Sequence, residues 1–465
     1  MSSIEKLYLF LISLFFVLIH SAGFFFWDNV VQLSVPANFY YDHNFKFFFL
    51  PDEIATGHQP FVGYYLALGW KIFGRTLLVS HLLMLPFVYG ILHQFYRFIS
   101  KFISNKDYVY FTLFLTVLDA CLLSQLSLLT FEIVHLFFLL WAVNSFLENK
   151  QTTLTIAFIG LCLVSLRSTM SAIGLFIFSF YYFLIIKRDL KLKNFLPFIP
   201  GFILFAVFLI TFYIEKGWII HNTVSNNWSK SAEYADFSDF IRNNIIIAKN
   251  FIDFGRGFIL ISTLIIIYKL IRDKKWSYPY HVILGLSLTQ FIIFYCTTVI
   301  YKNSISIRYF LPVSIFLSVF FFVWVFKNFK YKNVILFLTL ISTINGYFWA
   351  YPVNIATGWD CTPSHWNYYS LRTKMNQYIT EHKIAENEVG TFFPNENTFK
   401  IIELSSNDSD FSNVDFKNNE YILFSNVYNT DDETIKELSD IRKWRLKKHF
   451  SKGNVFISLY QKVRR

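Results

Sequence analysis

Runs of about 20 apolar residues, broken by short polar stretches, recur from Leu7 to Ala350 and constrain this chain more than any other feature. Such a run matches the hydrocarbon thickness of a bilayer, where a backbone keeps its hydrogen bonds internal by coiling into a helix. About eleven transmembrane helices are predicted: Leu7 to Phe26, Thr76 to Tyr96, Tyr108 to Ser124, Thr130 to Leu147, Thr152 to Leu166, Ser171 to Ile186, Phe195 to Ile214, Gly257 to Leu270, Pro279 to Ile300, Tyr309 to Phe326 and Val334 to Ala350. Only 16% of the residues are charged, where a soluble domain carries roughly 25%. The chain is therefore expected to be an α-helical polytopic membrane protein.

Charge gives the orientation and removes one function class. The net charge of +11 would suit nucleic acid, but the basic residues sit in short clusters between apolar runs, as in cytoplasmic loops of membrane proteins. No nucleic-acid partner is expected. Arg97, Lys101 and Lys106, then Lys150, then Lys187, Arg188, Lys191 and Lys193, then Arg272, Lys274 and Lys275, then Lys327, Lys330 and Lys332 fall on one side if the N-terminus is cytoplasmic. The expected location is the plasma or inner membrane. The run after Lys6 is as long as a full span, so it reads as an uncleaved anchor rather than a signal peptide.

The opposite side receives residues 27–75, an expected extracytoplasmic first loop that gathers Asp28, Asp42, His43, Asp52, Glu53 and His58 between apolar segments. Carboxylates held against a bilayer are costly unless they are wet, paired or functional. From Tyr351 the composition becomes that of a soluble protein. Residues 1–350 read as the membrane domain and 351–465 as a small extracytoplasmic α/β domain. Its predicted elements are helices at Trp366–Glu381 and Glu433–Arg445 and strands at Glu388–Phe393, Tyr421–Ser425 and Val455–Lys462. Cys121, Cys162 and Cys296 lie in apolar runs and Cys361 in the polar tail, so no disulfide framework is read.

Several short elements occur in a recognisable order: Trp27-Asp28, then Gly57-His58-Gln59-Pro60, then Ile72-Phe73-Gly74, then Glu132, Arg167 and Arg308-Tyr309-Phe310-Leu311-Pro312. This series resembles the GT-C superfamily of integral-membrane glycosyltransferases, especially relatives of protein O-mannosyltransferases and of bacterial lipid A aminoarabinose transferase. The resemblance implies a polyprenyl-phosphate-linked sugar donor, a lipid, glycan or protein acceptor, contact with membrane lipid, and inversion at the anomeric carbon. It makes Asp28 the candidate catalytic base. Asn29 stands where many relatives carry a second acidic residue, which leaves Asp28 as the best single candidate. Arg167 and Arg308 become candidate phosphate partners, since a guanidinium fork fits phosphate. Asp52, Glu53, His58 and Tyr309 would line the substrate pocket; a divalent ion is allowed, with Asp28, Glu53 and His58 as its candidate ligands.

Other features receive structural readings. Asp119, Glu132 and His135 are expected to pair within the spans, and Trp359-Asp360 and Trp366 to pack the tail domain. Asn227-Trp228-Ser229 and Asn407-Asp408-Ser409 match the glycosylation sequon. Two rival functions stay open: a lipid-linked saccharide polymerase or ligase, whose essential residues would sit in the segment from Glu215 to Arg256, and a transporter or flippase of envelope precursors. No related halves are found, which weighs against a transporter.

Overall fold

The computed structural model describes residues 1–219, 222, 233–302 and 305–464; the first sequon, at Asn227, lies outside them. Each of the eleven apolar runs contains helix. The helices of the apolar part are α1 (Ser3–Leu18), α2 (Val35–Asp42), α3 (Phe61–Phe73), α4 (Leu77–Ser100), α5 (Lys106–Val117), α6 (Ala120–Ser127), α7 (Phe131–Leu147), α8 (Gln151–Val164), α9 (Leu166–Tyr181), α10 (Ile199–Lys216), α11 (Phe237–Asn250), α12 (Gly257–Arg272), α13 (Tyr278–Val299), α14 (Leu311–Asn328) and α15 (Lys332–Gly346). Short π or 3-10 turns extend α9, α10 and α14, and with them five segments are long and apolar enough to cross a membrane: Leu77–Ser100, Leu166–Ile186, Leu192–Lys216, Tyr278–Val299 and Ile307–Asn328. The pair α5 and α6 adds a sixth if it counts as one broken span, while α7, α8 and α15 are shorter apolar helices. The expected eleven is thus a count of apolar helices, five or six of which meet the length of a full crossing among the described residues.

Two departures from the expected spans matter for the site. The run from Tyr108 to Ser124 breaks into α5 and α6, bent by 77°. Asp119 is the cause. It accepts hydrogen bonds from the backbone of Cys121 and Leu122 at 3.1 and 3.0 Å and takes the Arg256 fork at 2.7 Å on each oxygen. A carboxylate inside an apolar run is stabilised as an N-cap and an ion pair, and both roles require the helix to stop there. The run from Leu7 to Phe26 likewise stops being helix at Leu18. Phe24, Phe25 and Phe26 are buried under the tail instead of meeting lipid: Phe26 stacks on His365, and Phe25 N–H donates to the Ile402 carbonyl at 3.0 Å.

The 27–75 stretch, expected as a loop, carries a π turn (Val30–Ser34), α2 and α3. In α3 the buried Val62, Leu66, Ala67 and Trp70 keep helical spacing, and α3 packs on α2 and α4. Helices α4, α7, α8 and α9 then follow one another as packed neighbours, and α9 and α14 flank α13.

The tail holds helices α16 (Trp366–Glu381), α17 (Phe399–Glu403) and α18 (Asp432–Ser439) and strands β1 (Val389–Thr391), β2 (Ser412–Asn413), β3 (Tyr421–Ser425), β4 (Trp444–Lys452) and β5 (Val455–Lys462). The sheet order is β2-β1-β3-β5-β4, parallel at β1 and antiparallel from β3 to β4. The helix expected over Glu433–Arg445 ends at Ser439, and β4 was not anticipated. This edge strand exposes Arg445, Leu446 and Lys447 in succession, which hides the two-residue alternation of a strand; charge on an edge also discourages pairing with other chains. Asn407 of the second sequon is exposed.

Arg372 ties the tail to the first segment. Only 1% exposed, it donates from Nε to Asn395 at 2.6 Å, pairs with Glu403, and lies over the Phe24 ring at 4.6 Å. Truncation would strip a buried charge pair and its ring contacts together, so Arg372→Ala is expected to cost roughly 3 kcal/mol. Limited proteolysis checks this by earlier cleavage within 351–465 while the apolar part stays intact.

Candidate active site

The helix starts on one side of the bundle point charged residues at a single centre. Thr130 caps α7 by accepting from the Glu132 N–H at 3.3 Å, which puts Glu132 in the first turn. Ser165 and Ser168 close a capping box between α8 and α9, with bonds of 3.2 and 2.8 Å, and this holds Arg167 in the tight turn. Arg308 lies in the 3-10 turn Ile307–Phe310 that leads into α14, where Pro312 at the first turn suits a helix start. Trp27 adopts a left-handed backbone, φ 53°, and turns the chain so that Asp28 meets them.

The centre of the group is the Arg308 guanidinium, 4% exposed. Its Nη2 donates to Asp28, its Nη1 to Asp360, and its Nε lies 3.2 Å from Glu132 Oε1. Glu132 also accepts from Arg167, whose guanidinium stacks over the Tyr309 ring at 3.6 Å. Three carboxylates against two guanidiniums leave one negative charge. Burying such a cluster is tolerable because each member is paired in a fixed geometry. Asp28 remains the most open of the three carboxylates, 27% exposed against 4% for Glu132 and 8% for Asp360. Among the described residues its Oδ1 has no hydrogen-bond partner.

Asp28 opens onto a cavity of about 500 Å³ whose wall includes Trp27, Lys249, Asn250, Ser306, Arg308, Tyr309 and the tail segment from Asn354 to Asp360. Lys249, at the end of α11, lies 3.3 Å from Asp253 and 4.1 Å from the centre of the Tyr351 ring. A cavity of this size, part apolar and part charged, is the form small-molecule sites take.

The sequence-predicted residues divide between this cavity and other places. Asp28, Arg308 and Tyr309 line it. Arg167 sits behind it, on Glu132 and Tyr309. His58 is half-buried beside Phe131 and is not part of the cavity wall. Asp52 is turned away, 3.6 Å from Lys216 and 3.4 Å from the Trp218 indole nitrogen, and Glu53 is exposed. Asp28, Glu53 and His58 are not gathered together; among the described residues no group of three or more His, Cys, Asp or Glu could hold a metal ion. Glu132 and Asp360, given structural readings from sequence, both join the centre. Cys121, placed by sequence within a span, instead follows the bend after Asp119 and meets Cys361; both thiols are free.

Two histidines, His58 half-buried with its Nδ1 shut off from solvent and His365 fully buried, make folding sensitive to acid. Burial and the nearby Arg167 hold the His58 imidazole down at about 4, against the opposing pull of Glu132 and Asp28. Burial takes His365 down to about 3, although its Nδ1 is hydrogen-bonded to the Thr362 carbonyl. Both rings are neutral in the folded state above these values, whereas the unfolded chain takes up protons from about pH 6.5 downward. Stability is therefore complete above that pH and lost as the pH falls toward 4, by about 1.4 kcal/mol per pH unit for each ring. Thermal unfolding followed by tryptophan fluorescence should show a falling midpoint between about pH 7 and about pH 5, with a smaller fall in His365→Phe, which keeps the stack on Phe26 but cannot titrate.

Neither a family model nor a curated relative matches the sequence. The fold does match a solved structure: ArnT from Cupriavidus metallidurans, crystallised with undecaprenyl phosphate, superposes with a TM-score of 0.54 over 98% of both chains at 10% identity. The two chains share a fold over nearly their whole length, in keeping with the likeness expected from the order of short elements in the sequence.

Proposed function

We propose that this chain is a glycosyltransferase that moves a sugar from a polyprenyl-phosphate donor to an acceptor hydroxyl at the outer face of the membrane. The observation that carries this reading is the cavity that joins an open carboxylate, Asp28, to a buried arginine and a lysine where the apolar helices begin. The fold supports it, since ArnT, which shares that fold, was crystallised with undecaprenyl phosphate.

In the proposed reaction Asp28 Oδ1 takes the proton of the acceptor hydroxyl as its oxygen bonds to the anomeric carbon. The bond from that carbon to the donor phosphate breaks, and its electron pair leaves with polyprenyl phosphate. A single displacement of this kind inverts the anomeric centre. A positioned base contributes about 10²- to 10⁴-fold to such a step. Arg308 is engaged by three carboxylates, so its role is to fix Asp28, and Arg167 supports it through Glu132. Lys249 is the cation of the cavity wall best placed to meet the departing phosphate. Asp52, Glu53 and His58 have no step in this scheme.

The donor class is tested by thermal stability in nanodiscs. Polyprenyl phosphate should raise the unfolding midpoint, a polyprenol of equal length should not, and Lys249→Ala should weaken the shift. Equal stabilisation by alcohol and phosphate would remove the phosphate from the account.

A further inference from the structure

We propose that Asp360, contributed by the C-terminal tail, is a positioning residue that holds Arg308 to a single-nitrogen grip on Asp28 and so keeps Asp28 Oδ1 free for substrate. The inference rests on the glycosyltransferase reading above for its role in turnover, but the geometry it concerns can be measured without turnover.

A guanidinium offers carboxylates a planar fork and binds a lone partner through two parallel bonds where it can. Arg308 does not do so here. Asp28 receives one nitrogen, Nη2, because Nη1 is taken by Asp360 and the Nε edge faces Glu132. Asp360 is itself clamped in place. Its carbonyl accepts from Ser124 Oγ at 2.6 Å and Gln125 Nε2 at 2.9 Å, both on α6, and its Oδ1 accepts from the Cys361 thiol at 3.4 Å. The bend after Asp119 is what delivers Ser124 and Gln125 to this point. A residue that only packed the tail would not need its carboxylate aimed at the arginine that carries Asp28, nor a place in the wall of the same cavity. Without the Asp360 charge, a neutral acceptor at this position holds Nη1 only about half as strongly, and Arg308 can close on both oxygens of Asp28, its one other partner within reach of both Nη atoms, which blocks the atom that must accept a proton.

The test compares wild type with Asp360→Asn and with Gln125→Ala, which leaves every charge in place but loosens the segment. Two quantities are read. The first is modification of Asp28 by a hydrophobic carbodiimide, mapped by mass spectrometry on folded protein. It should fall about threefold or more in Asp360→Asn and less in Gln125→Ala, because a two-nitrogen clasp shields the carboxylate. The second is kinetics per folded molecule: kcat should fall about 10- to 100-fold in Asp360→Asn while donor KM moves less than about threefold. If Asp28 is modified at the wild-type rate in Asp360→Asn, or in Gln125→Ala should the first variant not fold, the inference is overturned, whether or not any sugar is turned over. If carbodiimide modification falls as expected but wild type consumes no lipid-linked sugar, the positioning stands and the function assigned to the site fails.

Discussion

Asp28→Asn should reduce transfer of sugar from a polyprenyl-phosphate donor by about 10²- to 10⁴-fold, the range that one positioned general base supplies. The substitution is nearly isosteric and should leave the fold in place. Asp28 is the most exposed of the three carboxylates around Arg308, and an asparagine oxygen can still accept from Nη2. Asp360 and Glu132 continue to balance the arginine. Donor KM should move less than about threefold, because the loss is confined to the step in which the proton moves. An unchanged kcat, measured on protein that unfolds at the wild-type temperature, would place the base elsewhere.

Arg308 should be the least replaceable residue of the chain. In Arg308→Ala, Glu132 and Asp360 are left buried without the cation that joins them, and removing one partner of a buried ion pair costs about 3–5 kcal/mol. The variant should express poorly or unfold at low temperature, and what remains folded should be inactive. Arg308→Lys separates charge from geometry. One ammonium cannot reach three carboxylates from the directions the planar fork serves, so activity should fall about 100-fold or more even where the fold is recovered. Wild-type activity in Arg308→Lys would mean that only the positive charge matters.

Much of this arrangement was readable from the chain because it sits at helix starts. Asp28 follows the first apolar run, Arg308 opens the run that becomes α14, and Arg167 occupies a turn too short to be anything but a helix junction. Asp360 was not readable. It lies 52 residues beyond Arg308, in an irregular tail segment, and the two meet because Ser124 and Gln125 hold its carbonyl. Lys249 was missed for a similar reason: its position depends on α11, an amphipathic helix too short and too polar to register as a span. Asp52 and Glu53 stand out in the sequence as acidic residues beside a bilayer, yet Asp52 has Lys216 as its partner and Glu53 is exposed. Charge next to a membrane identifies groups that need a partner, without saying which. In the tail, the apolar and largely buried stretches that become β3 and β5 are visible in the sequence, while the charged, exposed surface of β4 conceals that strand.

The most direct test of the account is turnover of a panel of polyprenyl-phosphate sugars by the purified protein in nanodiscs, with wild type beside Asp28→Asn. The account predicts that wild type consumes at least one donor, releases polyprenyl phosphate and transfers the sugar to an acceptor with inversion, and that the equally folded variant does not. Full turnover by Asp28→Asn, or retention of anomeric configuration in the product, would contradict it.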